Sequence, residues 1–166
     1  MIKPSFLNSS NKAALRFLDL NIRQDFYSEH IIIESLKIAD ILKLNTSELK
    51  LISELFGYPD RMTEKEQCLR IITDFGLDLL CLTRGGDGSL ILNNEEYYDH
   101  PGYKASVVDT IGAGDAFSAA VVIQYLKKKT LREISYSANK LGAWVSSRRG
   151  PTPRIDEDLL KIIKKI

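Results

Sequence analysis

The segment Asp109-Thr110-Ile111-Gly112-Ala113-Gly114-Asp115 puts two carboxylates and two glycines at the entrance to a long run of small and apolar residues, Ala113 to Leu126. That run has helical periodicity, so the glycines fall at a helix start. There the first backbone N–H groups have no intrahelical partner and the helix dipole is positive, which suits a phosphate. Gly112 and Gly114 allow close backbone approach to such an anion. Asp115, in the first helical turn, is held as the anion by the same dipole, ready to take a proton from a hydroxyl nucleophile. Phosphoryl transfer asks little more of a base, because its largely dissociative transition state depends on positioning. On spacing alone the residues read equally well as a helix cap and a turn. A Walker loop would need G-K-[ST], which is absent, and a dinucleotide fingerprint would need a third glycine where Phe117 stands.

Three other polar segments follow predicted strands: Asn21 to Arg23, Asn45 to Glu48, and Arg84 to Gly88. The elements expected to position them begin with a short strand at Arg16 to Leu20 and a helix from about Ile31 to Ala39. A strand at Ile41 to Leu44 leads into a helix capped by Asn45 or Thr46 and stopped by Gly57 and Pro59. Another helix runs from Thr63, with Glu66 in capping-box position, to Phe75. Leu77 to Thr83 reads as a central strand, and Gly85, Gly86 and Gly88 force a turn. Ser89 to Leu92 and Glu95 to Tyr98 read as a hairpin, Tyr103 to Val108 as one more strand. Ala113 to Leu126, Leu131 to Ser147 and Asp156 to Ile166 read as helices. Strands alternating with helices imply an α/β fold with a largely parallel sheet, whose ligands gather at the carboxyl ends of the strands. The four polar segments are therefore expected to line one cleft.

The bulk properties exclude other classes. A chain of 166 residues, 44% hydrophobic and 27% charged, is expected to fold as one soluble domain. Its 23 basic and 22 acidic side chains are intermixed and leave a net charge of +1, so neither nucleic acid nor an anionic membrane is an expected partner. The run Lys127 to Lys129 closes a predicted helix, where cations oppose the dipole. Cys68 and Cys81 lack C-x-x-C spacing and lie in apolar stretches, which points to a reducing cytoplasm. No run has the length of a membrane span or a signal peptide. His30 and His100 have no second ligand at metal spacing, and Trp144, Tyr97, Tyr98 and Tyr103 read as packing residues.

Asp109 to Ala120 resembles the C-terminal signature of the ribokinase-like (PfkB) carbohydrate kinases, and other landmarks of that family follow in order from Asp19 to Pro153. The resemblance implies a three-layer fold and ATP-dependent transfer to a sugar hydroxyl, with ATP and Mg2+ as cofactors and a K+ site. By resemblance, Asp115 is the catalytic base and the backbone of Gly112, Ala113 and Gly114 forms the anion hole. Asp19-Leu20-Asn21-Ile22-Arg23 resembles a D-x-N-x-R element, which places Asn21 and Arg23 on the acceptor side. Lys43 to Glu48 resembles K-x-N-x-x-E, with Asn45 and Glu48 around the magnesium and the nucleotide phosphates. Thr83 to Gly88 resembles T-x-G-x-x-G, with Thr83, Gly85 and Gly88 along those phosphates. Asp109, Ile111 and Gly150 match the monovalent-cation site, and Asn139 falls where relatives place a polar side chain against adenine. Apart from the resemblance, Asn139 reads as an exposed helical residue.

Family members are considerably longer. The resemblance covers their C-terminal portion only, with the lid and the sugar-binding aspartate absent from this sequence. Half of such a sheet would leave an open edge and an apolar face, so either self-association, as in a homodimer, or poor stability is expected. The segments from Asp19 to Tyr27 and Arg148 to Gly150 resemble fructokinase-like members more than adenosine kinases. The competing reading is a non-catalytic ATP-binding module or an inactive remnant.

Overall fold

The computed structural model describes residues 14–22, 28–154, 157 and 159. Among these residues it shows an α/β fold whose five strands lie side by side in chain order in a mixed sheet. The chain divides into two compact units, Met1–Thr83 with Leu92–Glu96, and Arg84–Ile91 with Tyr97–Ile166.

In the first unit the elements are β1 (Phe17–Asp19), α1 (Glu29–Ile38), β2 (Ile41–Asn45), α2 (Thr46–Leu55), α3 (Glu64–Phe75) and β3 (Leu79–Thr83). β1, β2 and β3 are parallel, with Asp19 opposite Lys43 and Asn45 opposite Thr83. Ile41, Leu42, Leu44, Leu80, Cys81 and Leu82 are wholly buried, the continuous apolar pattern of strands covered on both faces. Each helix starts where the sequence supplies a cap. Ser28 Oγ accepts from Ile31 N, so α1 begins two residues before the apolar pattern does. Asn45 with Glu48 and Thr63 with Glu66 form capping boxes, and Gly76, at φ 66°, ends α3 in the left-handed conformation. Ahead of β1, Arg16 pairs with Asp40 through both its guanidinium and its backbone N–H. The guanidinium beside Asp40 holds its carboxyl below the usual range, so this contribution is present above pH about 3.8 and is lost as pH falls further.

The second unit opens with a 3-10 turn, Gly85–Asp87, and contains most of β4 (Ser89–Leu92), β5 (Tyr97–His100), α4 (Ala113–Leu126) and α5 (Leu131–Ser146). α4 and α5 pack closely together, with Gly142 set against the Ala113 carbonyl. Two expectations need correction. The second hairpin strand begins at Tyr97 rather than Glu95, because Asn93 Oδ1 accepts the N–H groups of both Glu95 and Glu96 and lengthens the turn. Tyr103 to Val108 is not a strand. The N–H groups of Val108 and Asp109 both donate to the carbonyl of Ser146 at the end of α5, so this segment is tied to a helix terminus, with Val107 and Val108 exposed. The helix expected at Asp156 to Ile166 lies, apart from Glu157 and Leu159, outside the described residues.

Candidate active site

In the first unit the polar groups collect at the carboxyl ends of the parallel strands. Lys43, 9% exposed in the middle of β2, places Nζ 3.0 and 3.1 Å from the two oxygens of Asp19. A buried ammonium requires such a partner. Beyond it, Glu48 is 5% exposed, and its carboxylate accepts the Asn45 N–H at 2.7 Å and the Ile22 N–H at 2.9 Å. Asn45 Oδ1 accepts in return from Glu48 N. Glu48 therefore ties the segment leaving β1 to the start of α2, more than the cap that its spacing implies. Asn21 lies in that segment with φ 39°, Thr83 Oγ1 donates to the Leu44 carbonyl, and Arg23 lies outside the described residues.

In the second unit the Asp109 to Asp115 loop is held by its own first residue. Asp109 Oδ1 accepts from Ile111 N at 2.9 Å and Oδ2 from Gly150 N at 3.2 Å, which brings the three residues of the expected cation site together. Gly112 caps α4 at φ 82°, where a Cβ would stand 2.5 Å from the Pro151 carbonyl oxygen. Only glycine fits both that conformation and that approach. The first intrahelical bond runs from Ala116 N to Gly112 O, while Ala113 N bonds back to Thr110 O. The N–H groups of Gly114 and Asp115 thus lie in the first turn, without an intrahelical acceptor. The side chain of Asp115 is exposed at this positive helix end.

The second glycine segment is equally constrained. Arg84 N donates to Gly88 O across the turn, and the Arg84 guanidinium grips both oxygens of Asp99 at 2.8 and 3.2 Å. Gly88 takes φ 85° and ψ −140° and lies against the backbone of His100 and Gly102. Asn139 is buried, not exposed: its amide nitrogen donates to Ser89 Oγ and the Ser135 carbonyl, each at 2.8 Å, and lies 3.2 Å from Ser135 Oγ. It fastens α5 to β4. Replacing Asn139 with leucine would strand the buried Ser89 and Ser135 hydroxyls. The expected loss of stability is about 2 kcal/mol, read from denaturant midpoints; a neutral result would mean that water replaces the amide.

Sequence reasoning passed over the Lys43–Asp19 pair and Gly102 as site components. A lysine inside an apolar strand was the signal for the first, the Pro101-Gly102 dipeptide for the second. Tyr97, read as a packing residue, is 53% exposed. Among the described residues no group of three acidic, histidine or cysteine side chains is placed to hold a metal ion, and no helix is long and apolar enough to cross a membrane.

Comparison with known proteins decides the family, since the model of the pfkB family carbohydrate kinases matches residues 6–158. The chain belongs to the pfkB family. It is 33% identical over 159 residues to a putative sugar kinase of Pyrococcus horikoshii, which covers 90% of this chain and 46% of the relative. An ATP-dependent ribose-1-phosphate kinase of Halopiger xanaduensis is 30% identical over 118 residues, 70% of this chain and 36% of the relative. The crystal structure of an uncharacterised P. horikoshii sugar kinase in complex with ATP superposes with a TM-score of 0.73 at 30% identity, covering 95% of this chain and 50% of that one. Thermotoga maritima ribokinase, at 22% identity and a TM-score of 0.76 over 96% of this chain and 52% of its own, shares the fold. The pfkB chain described here thus spans about half the length of the relatives it matches.

Proposed function

We propose that the protein carrying this chain is an ATP-dependent sugar kinase that transfers the γ-phosphoryl group to a hydroxyl of a fructose- or ribose-like acceptor, and that this chain supplies its nucleotide-binding and catalytic portion. The observation that carries the reading is the start of α4: first-turn N–H groups behind a left-handed Gly112, with the exposed carboxylate of Asp115 beside them. Such a helix end stabilises charge on a transferring phosphoryl group, and the carboxylate takes the acceptor proton.

The other residues take supporting roles. By the family resemblance Thr83, Gly85 and Gly88 are assigned to the nucleotide phosphates and Asn21 with Arg23 to the acceptor, while Asn139, its amide hydrogens committed to Ser89 and Ser135, keeps only its carbonyl oxygen for adenine. Magnesium, bound with ATP, would screen the phosphate charge. Its fit rests on Glu48 and Asn45: one carboxylate that takes two backbone donors and keeps lone pairs for water suits an ion held mostly by water and phosphates. A potassium site fits Asp109 with the backbones of Ile111 and Gly150, since the carboxylate already draws those two segments together. A cytoplasmic location and a homodimer belong to the same reading.

Calorimetric titration of the chain with ATP, with and without magnesium and with NAD as control, tests the nucleotide site. Binding of MgATP and not NAD is expected; binding of NAD instead would overturn the reading. Glu48→Gln should weaken MgATP binding about tenfold and recover part of it in excess magnesium, as outer partners of a metal do. Equal affinity in the variant would remove Glu48 from the metal role. Acceptor-dependent ADP formation by the protein carrying the chain then separates a kinase from a module.

A further inference from the structure

His100 ends β5 and is 4% exposed, although the Tyr97 and Asp99 side chains beside it lie at the surface. Three tyrosine rings surround its imidazole: Tyr136 edge-on at 4.8 Å, Tyr103 at 4.9 Å and Tyr98 at 6.5 Å. Within that shell Nδ1 accepts the N–H of Gly102 at 2.9 Å, which selects the neutral tautomer with its proton on Nε2. Gly102, at φ +80°, presses against the glycine turn: a Cβ on it would stand 2.5 Å from the Gly86 carbonyl oxygen and 2.9 Å from the Gly88 nitrogen. The His100 carbonyl meets Gly88 as well. The turn therefore rests on the backbone of His100 to Gly102, and one imidazole nitrogen sets the course of that backbone.

We propose that His100 is a positioning residue for the glycine turn: neutral, it holds Gly102 against Gly86 and Gly88, and on protonation it releases them, so that the turn's grip on a nucleotide phosphate weakens in mild acid. The nucleotide clause rests on the kinase reading above; the hold on the turn stands on geometry alone. A proton on Nδ1 would set two N–H donors against each other and bury an imidazolium among aromatic rings. The charged groups around it give little relief. Asp99 favours the cation but already pairs with Arg84 of the turn. On α5, Arg132 stands 5.6 Å over the Tyr136 ring, so that side presents another cation; Asp87 on the turn is exposed. Burial, the largest effect, pushes the His100 pKa below its usual 6.5. A depressed histidine contributes fully above its unfolded pKa and loses that contribution as pH falls through the folded value, so the window lies below about 6.5.

Two variants separate this role from simple packing. His100→Asn offers a carbonyl oxygen near the place of Nδ1 without titrating, and His100→Phe keeps a ring without an acceptor. Amide-exchange protection factors at Gly88 and Gly102, and the MgATP dissociation constant, would be measured on the chain near pH 5.5 and 7.5. Wild type should lose about tenfold protection at the lower pH, the worth of one buried hydrogen bond. His100→Asn should stay protected at both pH values, and His100→Phe should be weakly protected at both. Protection in the wild type that ignores pH, or full protection in His100→Phe, would overturn the proposal; if His100→Phe does not fold, loss of the pH response in His100→Asn decides it. Protection that follows the pattern without any MgATP binding would sink the kinase reading and leave the role of His100 in the turn. MgATP affinity that does not move while protection does would remove the phosphate clause.

Discussion

Asp115→Asn is expected to lower phosphoryl transfer by about a thousandfold while leaving MgATP affinity within about threefold, within the range for removing a positioned general base. Asparagine keeps the size of the side chain and its place in the first turn of α4. It loses the negative charge and, with it, the ability to accept a proton. The proposed anion site is backbone, in a loop held by Gly112 at its left-handed φ and by Asp109 through Ile111 and Gly150, and none of these changes. Affinity should not fall, since removing a carboxylate from beside a polyphosphate relieves repulsion. Turnover is read as acceptor-dependent ADP formation in the protein carrying this chain, affinity by calorimetry. Near-normal turnover in the variant would mean that another group, or solvent, takes the acceptor proton.

Gly88→Ala is expected to cost about 4 kcal/mol or more, the range of exceptional substitutions, and to lower the melting midpoint by on the order of 10 °C. At φ 85° and ψ −140° only glycine is at ease, and a Cβ would collide with the His100 carbonyl oxygen and the Gly102 nitrogen. Both obstacles are main chain, so no rotamer change relieves them. Two residues earlier, Gly86 has open space around a hypothetical Cβ and no positive φ, so Gly86→Ala should change stability by less than about 1 kcal/mol. Thermal melts of the two variants side by side give the contrast. Equal melting would show that the turn in solution is looser than this packing.

What the sequence disclosed follows the range of the interactions. The capping boxes at Asn45 and Glu48, and at Thr63 and Glu66, are legible because donor and acceptor lie three residues apart. The parallel strands are legible because burial on both faces leaves continuous apolar runs. Tyr103 to Val108 has strand composition, yet its hydrogen bonds go to Ser146, which no local pattern announces. Asn139 reads as a surface residue on its own helix because Ser89, its partner, is 50 positions away. The gathering of Asp109, Ile111 and Gly150 was legible only through family resemblance, since nothing near Gly150 in sequence marks it as an acidic side chain's partner. The family and the fold class were both readable from the Asp109 to Ala120 signature, now matched by the family model.

The ties that close the Asp109 loop also set the order in which the molecule can be assembled. Asp109 finds the Ser146 carbonyl and the Gly150 N–H only after those residues have been synthesised and α5 has docked on α4. The α4–α5 hairpin is built from near neighbours and can form early, whereas the Asp109 loop must wait for a contact that spans 41 positions. The loop is therefore expected to close in the late half of folding. Substitutions there should hasten unfolding and spare the folding rate, and a nascent chain that stalls before Gly150 carries the signature residues without their geometry.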